Sequence, residues 1–126
     1  MTRGIRGATT VSANDEREIL LHTKRLVEEM IATNDLKSEQ VSHALVSVTH
    51  DLNATFPAKA IRNLPGWKYV PVMNMLEIDV PGSLQKCIRI MMVVNTEKKQ
   101  EDIHHIYHND AVQLRPDLQK TEESSQ

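Results

Sequence analysis

Apolar residues in this chain follow two periodicities, one typical of β-strands and one typical of an α-helix. The short, β-branched run over residues 87–94 predicts a buried strand. Apolar positions repeat every three or four residues between Asp15 and Asn34, and this spacing predicts an amphipathic helix with Asp15 as its N-cap and Asn34 as a left-handed C-cap. Further elements are predicted as follows: strands over 3–11, 43–49, 67–74 and 103–114, the last with a bulge at 109–110, and a short helix over 57–64.

One charged residue interrupts the apolar run. Alternation along a strand places Arg89 on the same face as Cys87 and Met91. A guanidinium keeps its proton, so a buried Arg89 requires an anion against it. The run alone favours a carboxylate of the protein over a substrate. Glu77, which lies among apolar neighbours, could be that carboxylate or could accept a hydrogen bond from a ligand hydroxyl.

Composition narrows the classes of function. The chain has 126 residues, a formal net charge of -2 and no basic patch, so we expect a single domain that does not bind nucleic acid. No apolar stretch approaches the roughly 20 residues of a membrane span, and no signal-peptide core follows Met1, so we expect a cytoplasmic protein without membrane contact. The single cysteine, Cys87, is interpreted as a small buried apolar residue.

Three histidines near the C-terminus raise the question of a metal site. In a strand, His104 and His108 would point away from His105, and no cysteine or carboxylate pair completes a ligand set. We therefore expect no metal site.

Cations lie where a small anion could reach them. Arg6, Arg62, Arg89 and Arg115 all fall in non-helical or terminal positions of the predicted elements. With Lys59, Glu77 and Tyr107 they suit a small compound that carries several carboxylates and a hydroxyl. The residues alone support binding of such a metabolite, but they do not specify a reaction.

Five segments carry a specific resemblance. They are Arg3–Thr10, Phe56–Ala60 with Arg62, Gly66–Trp67 with Tyr69–Val72, Cys87–Arg89 and Leu114–Leu118. In order and over essentially the whole chain, they resemble the monofunctional chorismate mutases of the trimeric α/β class. The resemblance implies an α+β fold, with a mixed β-sheet packed by helices and three chains forming a pseudo-α/β-barrel homotrimer whose active sites lie between subunits. We expect one domain over residues 1–118 and a flexible tail over 119–126.

The resemblance also implies a reaction. It is the cofactor-free Claisen rearrangement of chorismate to prephenate, an isomerase step from the shikimate pathway toward phenylalanine and tyrosine. Arg89 would donate to the ether oxygen, Glu77 would accept from the ring hydroxyl, and Arg6 would hold a substrate carboxylate beside Tyr107. The remaining substrate-binding positions implied by the family are Phe56, Ala58, Lys59, Arg62, Val72, Met73, Asn74, Leu114 and Arg115.

Two alternatives stay open at this point. One is an enamine or imine hydrolase that shares this general fold, although none of its characteristic sequence pattern is present. The other is a non-catalytic trimer that binds a metabolite of the aromatic pathway. Asn74 keeps the second alternative open, because it replaces a cysteine that is expected in the family.

Overall fold

The computed structural model describes residues 1–115, so the predicted domain boundary at 118 and the predicted tail over 119–126 lie outside the described residues. Its elements in chain order are β1 (Thr2–Thr10), α1 (Glu16–Thr33), a 3₁₀ turn (Ser38–Gln40), β2 (Val41–Val48), α2 (Ala58–Arg62), β3 (Val72–Leu76), β4 (Cys87–Asn95), a 3₁₀ turn (Gln100–Asp102), β5 (Ile106–Tyr107) and a 3₁₀ helix (Asn109–Leu114). Within this part of the chain, no helix combines the length and apolar composition that a membrane crossing requires.

The five strands form one mixed sheet in the order β3-β2-β4-β1-β5. β4 pairs antiparallel with both β1 and β2, whereas the edge strands β3 and β5 pair parallel with β2 and β1. The predicted apolar run is therefore the central strand. Together with the two α-helices, this arrangement confirms the predicted mixed sheet packed by helices.

The two faces of the sheet differ in what covers them. On one face, Ile5, Val46 and Met92 are fully buried and belong to the main apolar core, together with Leu26 of α1 and Ile61 of α2. We call this the core face. On the opposite face, which we call the open face, no α-helix of the described chain packs. The residues whose register places them on the open face are Thr2, Gly4, Arg6, Ala8, Thr10, His43, Leu45, Ser47, Met73, Met75, Cys87, Arg89, Met91, Val93, Asn95 and Tyr107.

Gly7 allows α1 to pack closely on the core face. A Cβ atom at this position would overlap the Met30 sulfur and would lie 3.3 Å from Leu26 Cδ1. Glycine within a strand often marks such a close approach, and here the approaching groups are side chains of α1. This contact fixes the distance of α1 from β1.

The predicted caps of α1, Asp15 and Asn34, are both confirmed, but the predicted left-handed conformation of Asn34 is wrong. Asp15 accepts a hydrogen bond from Glu18 N at 3.0 Å. Asn34, however, has φ of -96°, and the left-handed residue is Asp35, with φ of 50°. Asn34 is instead held in a right-handed conformation because its amide bonds other elements. Nδ2 donates to Met30 O and to His104 O, and Oδ1 accepts from His104 N, each at 2.9 Å.

Two predicted strands are shorter in the structure than the sequence indicated. Residues 67–71 form turns, and β3 begins only at Val72, directly after Pro71, whose ring cannot donate a ladder bond. The predicted final strand contributes only Ile106–Tyr107 to the sheet. Asn109 adopts a left-handed conformation (φ 54°), and the chain then forms a 3₁₀ helix instead of a bulged strand.

Replacement of Asn34 by alanine should destabilise the fold. Asn34 is 1% exposed, and Asn34→Ala removes the partners of His104 N and His104 O together with one of the two hydrogen bonds that Met30 O accepts from Asn34. We expect the free energy of unfolding in urea to fall by about 2 to 4 kcal/mol. The control is Asn63→Ala, which removes an exposed asparagine just after α2 and should cost under about 0.5 kcal/mol. Equal effects of the two variants would contradict the role of Asn34.

Candidate active site

A cleft of about 350 Å³ lies on the open face, along one row of paired residues. The register aligns Met75, Ser47, Arg89, Ala8 and Tyr107 side by side across all five strands. All five line the cleft, as do Arg6, Leu45, Met91 and Leu114. Four residues that were predicted separately from the sequence, Arg6, Arg89, Tyr107 and Leu114, are therefore neighbours in one cleft.

Arg89 lines this cleft and forms an ion pair with Glu77 beside it. Arg89 Nε lies 3.1 Å from Glu77 Oε2, Ser47 Oγ donates to the same oxygen at 3.3 Å, and Ile78 N donates to Oε1 at 3.0 Å. Of the two interpretations of Glu77, the structure shows the partner of Arg89. A guanidinium has five N–H donors, so the pair with Glu77 does not use all of them.

The prediction that Arg89 is buried is wrong for the single chain. Its side chain is 46% exposed, against 27% for Glu77. The strand itself is buried on its core face, where Ile88 and Ile90 pack under the helices. Alternation places Arg89 on the open face, which no α-helix of residues 1–115 covers.

The other predicted residues form a second group around α2 and the start of β3. Phe56 is 65% exposed just before α2, Ala58 is buried, and Lys59 Nζ lies 3.3 Å from Glu16 Oε1 at the start of α1. Arg62 is exposed at the end of α2, and Val72 packs against the apolar core. This group does not share the open-face cleft.

Asn74 belongs to this second group by its contacts. The register places it on the core face, opposite to Arg89, and its Oδ1 accepts a hydrogen bond from Ala58 N at 3.2 Å. It also lines a second cleft, of about 430 Å³, together with Phe56. Met73 lies on the open face and is 60% exposed. Met75 lines both clefts and so lies between the two groups.

Sequence reasoning did not identify Ser47 as a site residue. It is the direct partner of Arg89 in the β2–β4 ladder and also bonds Glu77. The alternation of His43, Leu45 and Ser47 in a predicted strand was visible, but only the strand register shows that Ser47 lies beside Arg89. Leu45 and Met91 were missed for the same reason.

Arg115, the last described residue, follows Leu114 at the end of the 3₁₀ helix, and its backbone N–H donates to Val112 O at 3.1 Å. Leu114 lines the open-face cleft, whereas Arg115 is not among the residues that line it.

The C-terminal histidines have separate partners. His105 Nδ1 accepts a hydrogen bond from the backbone N–H of Arg6 at 2.9 Å, and His108 Nε2 lies 2.9 Å from Glu29 Oε2. His104 bonds Asn34 only through its backbone groups. Among the described residues, no three histidine, cysteine or acidic side chains are placed to hold a metal ion.

Cys87 lies on the strand of Arg89, two residues earlier, and is 1% exposed. Burial raises the pKa of its thiol above the usual 9.0, and the Arg89 guanidinium offsets part of this effect. These properties agree with the interpretation of Cys87 as a small buried apolar residue.

Comparison with known proteins identifies close relatives. The family Chorismate mutase type I matches residues 2–118. The chain is 55% identical to chorismate mutase AroH of Bacillus subtilis (strain 168) over 121 residues, which cover 96% of this chain and 95% of that protein. It is 39% identical to chorismate mutase AroH of Thermus thermophilus over 97% of this chain and 100% of that protein. A solved chorismate mutase from Clostridium thermocellum superposes with a TM-score of 0.85 at 51% identity, covering 87% of this chain and 97% of that one.

The buried thiol should react slowly while the protein is folded. Because the pKa of Cys87 is raised, less thiolate is present at pH 8 than for an exposed cysteine. We expect iodoacetamide to alkylate the native protein on the order of 100-fold more slowly than the same protein in urea. Mass spectrometry measures both rates, and equal rates would show that Cys87 is accessible.

Proposed function

The chain belongs to the type I chorismate mutase family and is itself a chorismate mutase, and we propose that Arg89 carries the catalysis in the open-face cleft. The enzyme converts chorismate to prephenate, an isomerisation in aromatic amino acid biosynthesis. The observation that supports the residue assignment is that Arg89, which is paired with Glu77, lines the same cleft as a second arginine, Arg6.

The chemistry explains why a fixed cation is useful here. In the Claisen rearrangement the ether C–O bond breaks ahead of C–C bond formation, so negative charge gathers on the ether oxygen. A guanidinium that donates to this oxygen binds the transition state more tightly than chorismate. Because Nε of Arg89 is paired with Glu77 at 3.1 Å, the guanidinium is restrained, and its terminal N–H groups would point at the substrate.

The remaining cleft residues would orient the substrate. Arg6 holds a carboxylate of chorismate with Tyr107 beside it, and Glu77, with one oxygen on Arg89, accepts from the ring hydroxyl. Holding chorismate in its compact, chair-like conformer lowers the barrier by orientation. No step needs a proton transfer, a covalent intermediate or a cofactor.

We propose that three chains assemble around their open faces. Leu45, Met91 and Val93 are only partly buried there, while Met73 and Met75 are 60% and 41% exposed. Such an apolar sheet face without a covering layer is typical of a subunit interface. A closed ring of three subunits covers all three faces without leaving one unpaired.

A trimer also explains why the predicted residues fall into two groups. The open-face cleft contributes Arg6, Arg89 and Tyr107, and the α2 group contributes Phe56 and Lys59. We propose that the first group of one subunit meets the second group of its neighbour. The neighbouring subunit would then exclude water from Arg89, and the lower dielectric would strengthen the electrostatic effect of Arg89 on the substrate.

The alternatives raised by the sequence have less support. The relatives are named as chorismate mutases, which favours catalysis over metabolite binding alone. Nothing in the family match points to an enamine or imine hydrolase.

Loss of Arg89 should remove most of the activity. We expect Arg89→Ala to lower kcat by roughly 100- to 1000-fold, and Arg89→Lys to do nearly the same because lysine lacks the planar fork. The decay of chorismate ultraviolet absorbance measures the rate, with prephenate confirmed as product. The matched control is Arg25→Ala on the exposed surface of α1, which should keep wild-type kcat. Wild-type turnover by folded Arg89→Ala would refute the assignment.

Composite sites predict complementation between inactive variants. Arg89→Ala and Lys59→Glu damage different groups, so co-expressed chains should form about a quarter intact sites at equal mixing. Arg89→Ala and Arg6→Glu both damage the open-face cleft, so mixing these two variants should restore no activity. Purification through two tags and light scattering, which should give three times the mass of 14.3 kDa, identify the mixed trimers. Absence of recovery in mixed trimers of the first pair would argue against sites shared between subunits.

A further inference from the structure

The edge strand β5 is too short to satisfy every backbone group of β1. Its ladder with β1 pairs Gly7 with Ile106 and Ala8 with Tyr107, and then ends. The N–H of Arg6 points beyond this end, where an imidazole stands in place of a backbone carbonyl. His105 Nδ1 accepts the hydrogen bond at 2.9 Å. A side chain thus extends the ladder by one bond, at the residue whose guanidinium lines the cleft.

This contact specifies the protonation of the ring. Nδ1 can accept only when it carries no proton, so His105 must be neutral with its hydrogen on Nε2. Burial lowers the pKa of His105 below 6.5, and the positive charge of Arg6 and then of His104 lowers it further. The environment therefore favours the form that the geometry requires.

We propose that His105 is a positioning residue, which holds Arg6 in the substrate cleft through the hydrogen bond from the Arg6 backbone N–H to Nδ1. The proposal rests on the role of Arg6 as a carboxylate holder. His105 itself does not touch the substrate. Without this hydrogen bond, the segment of β1 around Arg6 would be free to move. The Arg6 side chain would then no longer be held in one direction.

The sign of the pH effect follows from the same contact. Protonation of His105 converts Nδ1 from an acceptor into a donor, which faces the backbone N–H of Arg6 and cannot bond it. Protonation also adds a positive charge beside Arg6. Of the other charged groups around it, His104 precedes it in the chain, and Glu29 of α1 lies against His108. The contact is present above pH 6.5 and is lost as the pH falls through the lowered pKa of His105, so KM should stay level near neutrality and rise only in acid.

Two substitutions of His105 distinguish the effect of losing the hydrogen bond from the effects of losing side-chain volume or of unfolding. His105→Leu fills the space without an acceptor, and we expect it to raise KM roughly 3- to 10-fold at pH 7.5, the size of one hydrogen bond, with kcat changed less. His105→Asn places an amide Oδ1 near the position of Nδ1 and should restore KM. The matched control is His104→Asn, because its exposed side chain makes no bond to β1. A wild-type KM for folded His105→Leu would overturn the proposal.

The pH profile and the ring tautomer give independent tests. In the His105→Asn variant, KM should no longer increase at low pH. In the His104→Asn variant, this increase should remain. A long-range proton–nitrogen NMR spectrum of the free wild-type enzyme should show His105 as the Nε2–H tautomer at pH 7.5. The role of this imidazole would be refuted if the wild-type enzyme showed the Nδ1–H tautomer. It would also be refuted if KM of the His105→Asn variant still increased at low pH as in the wild type.

These outcomes are distinct from failure of the proposed function. If Arg6 does not bind substrate, Arg6→Ala will keep a wild-type KM even though the NMR spectrum shows the Nε2–H tautomer. If the function holds but His105 does not position Arg6, Arg6→Ala will raise KM while His105→Leu will not.

Discussion

Arg89 and the residues around it lie on a sheet face that no α-helix of the described chain covers, and this constraint organises the rest of the molecule. Both α-helices pack on the core face, where Gly7 lets α1 approach β1. On the opposite face, residues 1–115 bury Ala8 and Cys87 but leave Arg89 and Met73 largely exposed. An apolar sheet surface with two arginines in it fits a site that is completed on assembly, because the same contact that buries Met73 and Met91 also removes water from the guanidinium groups.

In the proposed role of Arg89, a partly exposed ion pair serves catalysis without adding much to stability. An exposed pair of this kind contributes about 1 kcal/mol or less to folding. Its value would lie in orientation, because the contact with Glu77 restrains the guanidinium while Glu77 is itself held by Ser47 and by Ile78 N. The chain thus orients the guanidinium of Arg89 in advance. A covering subunit would supply the low dielectric in which the interaction of that charge with the substrate is strongest.

The sequence was sufficient for some of this arrangement and insufficient for the rest, for identifiable reasons. The strand of Arg89 and the N-cap at Asp15 follow from local patterns, which depend only on nearby residues. The partner of Arg89 could be suspected because Glu77 stood among apolar neighbours. Ser47 could not be found, since its place beside Arg89 depends on strand register. The conformation of Asn34 was predicted wrongly because its hydrogen bonds to His104 span 70 residues and override its tendency to adopt a left-handed conformation.

The choice of side chains fits a reaction that moves no proton. A general acid or base would need a pKa near the working pH, but a Claisen rearrangement needs a charge that stays constant as the ether oxygen becomes negative. Arginine meets this need because its guanidinium does not titrate in the physiological range. Titratable groups can then influence the rate only through position. The neutral imidazole of His105 has that kind of influence, because it acts on the backbone of Arg6 and leaves the charge in the cleft unchanged.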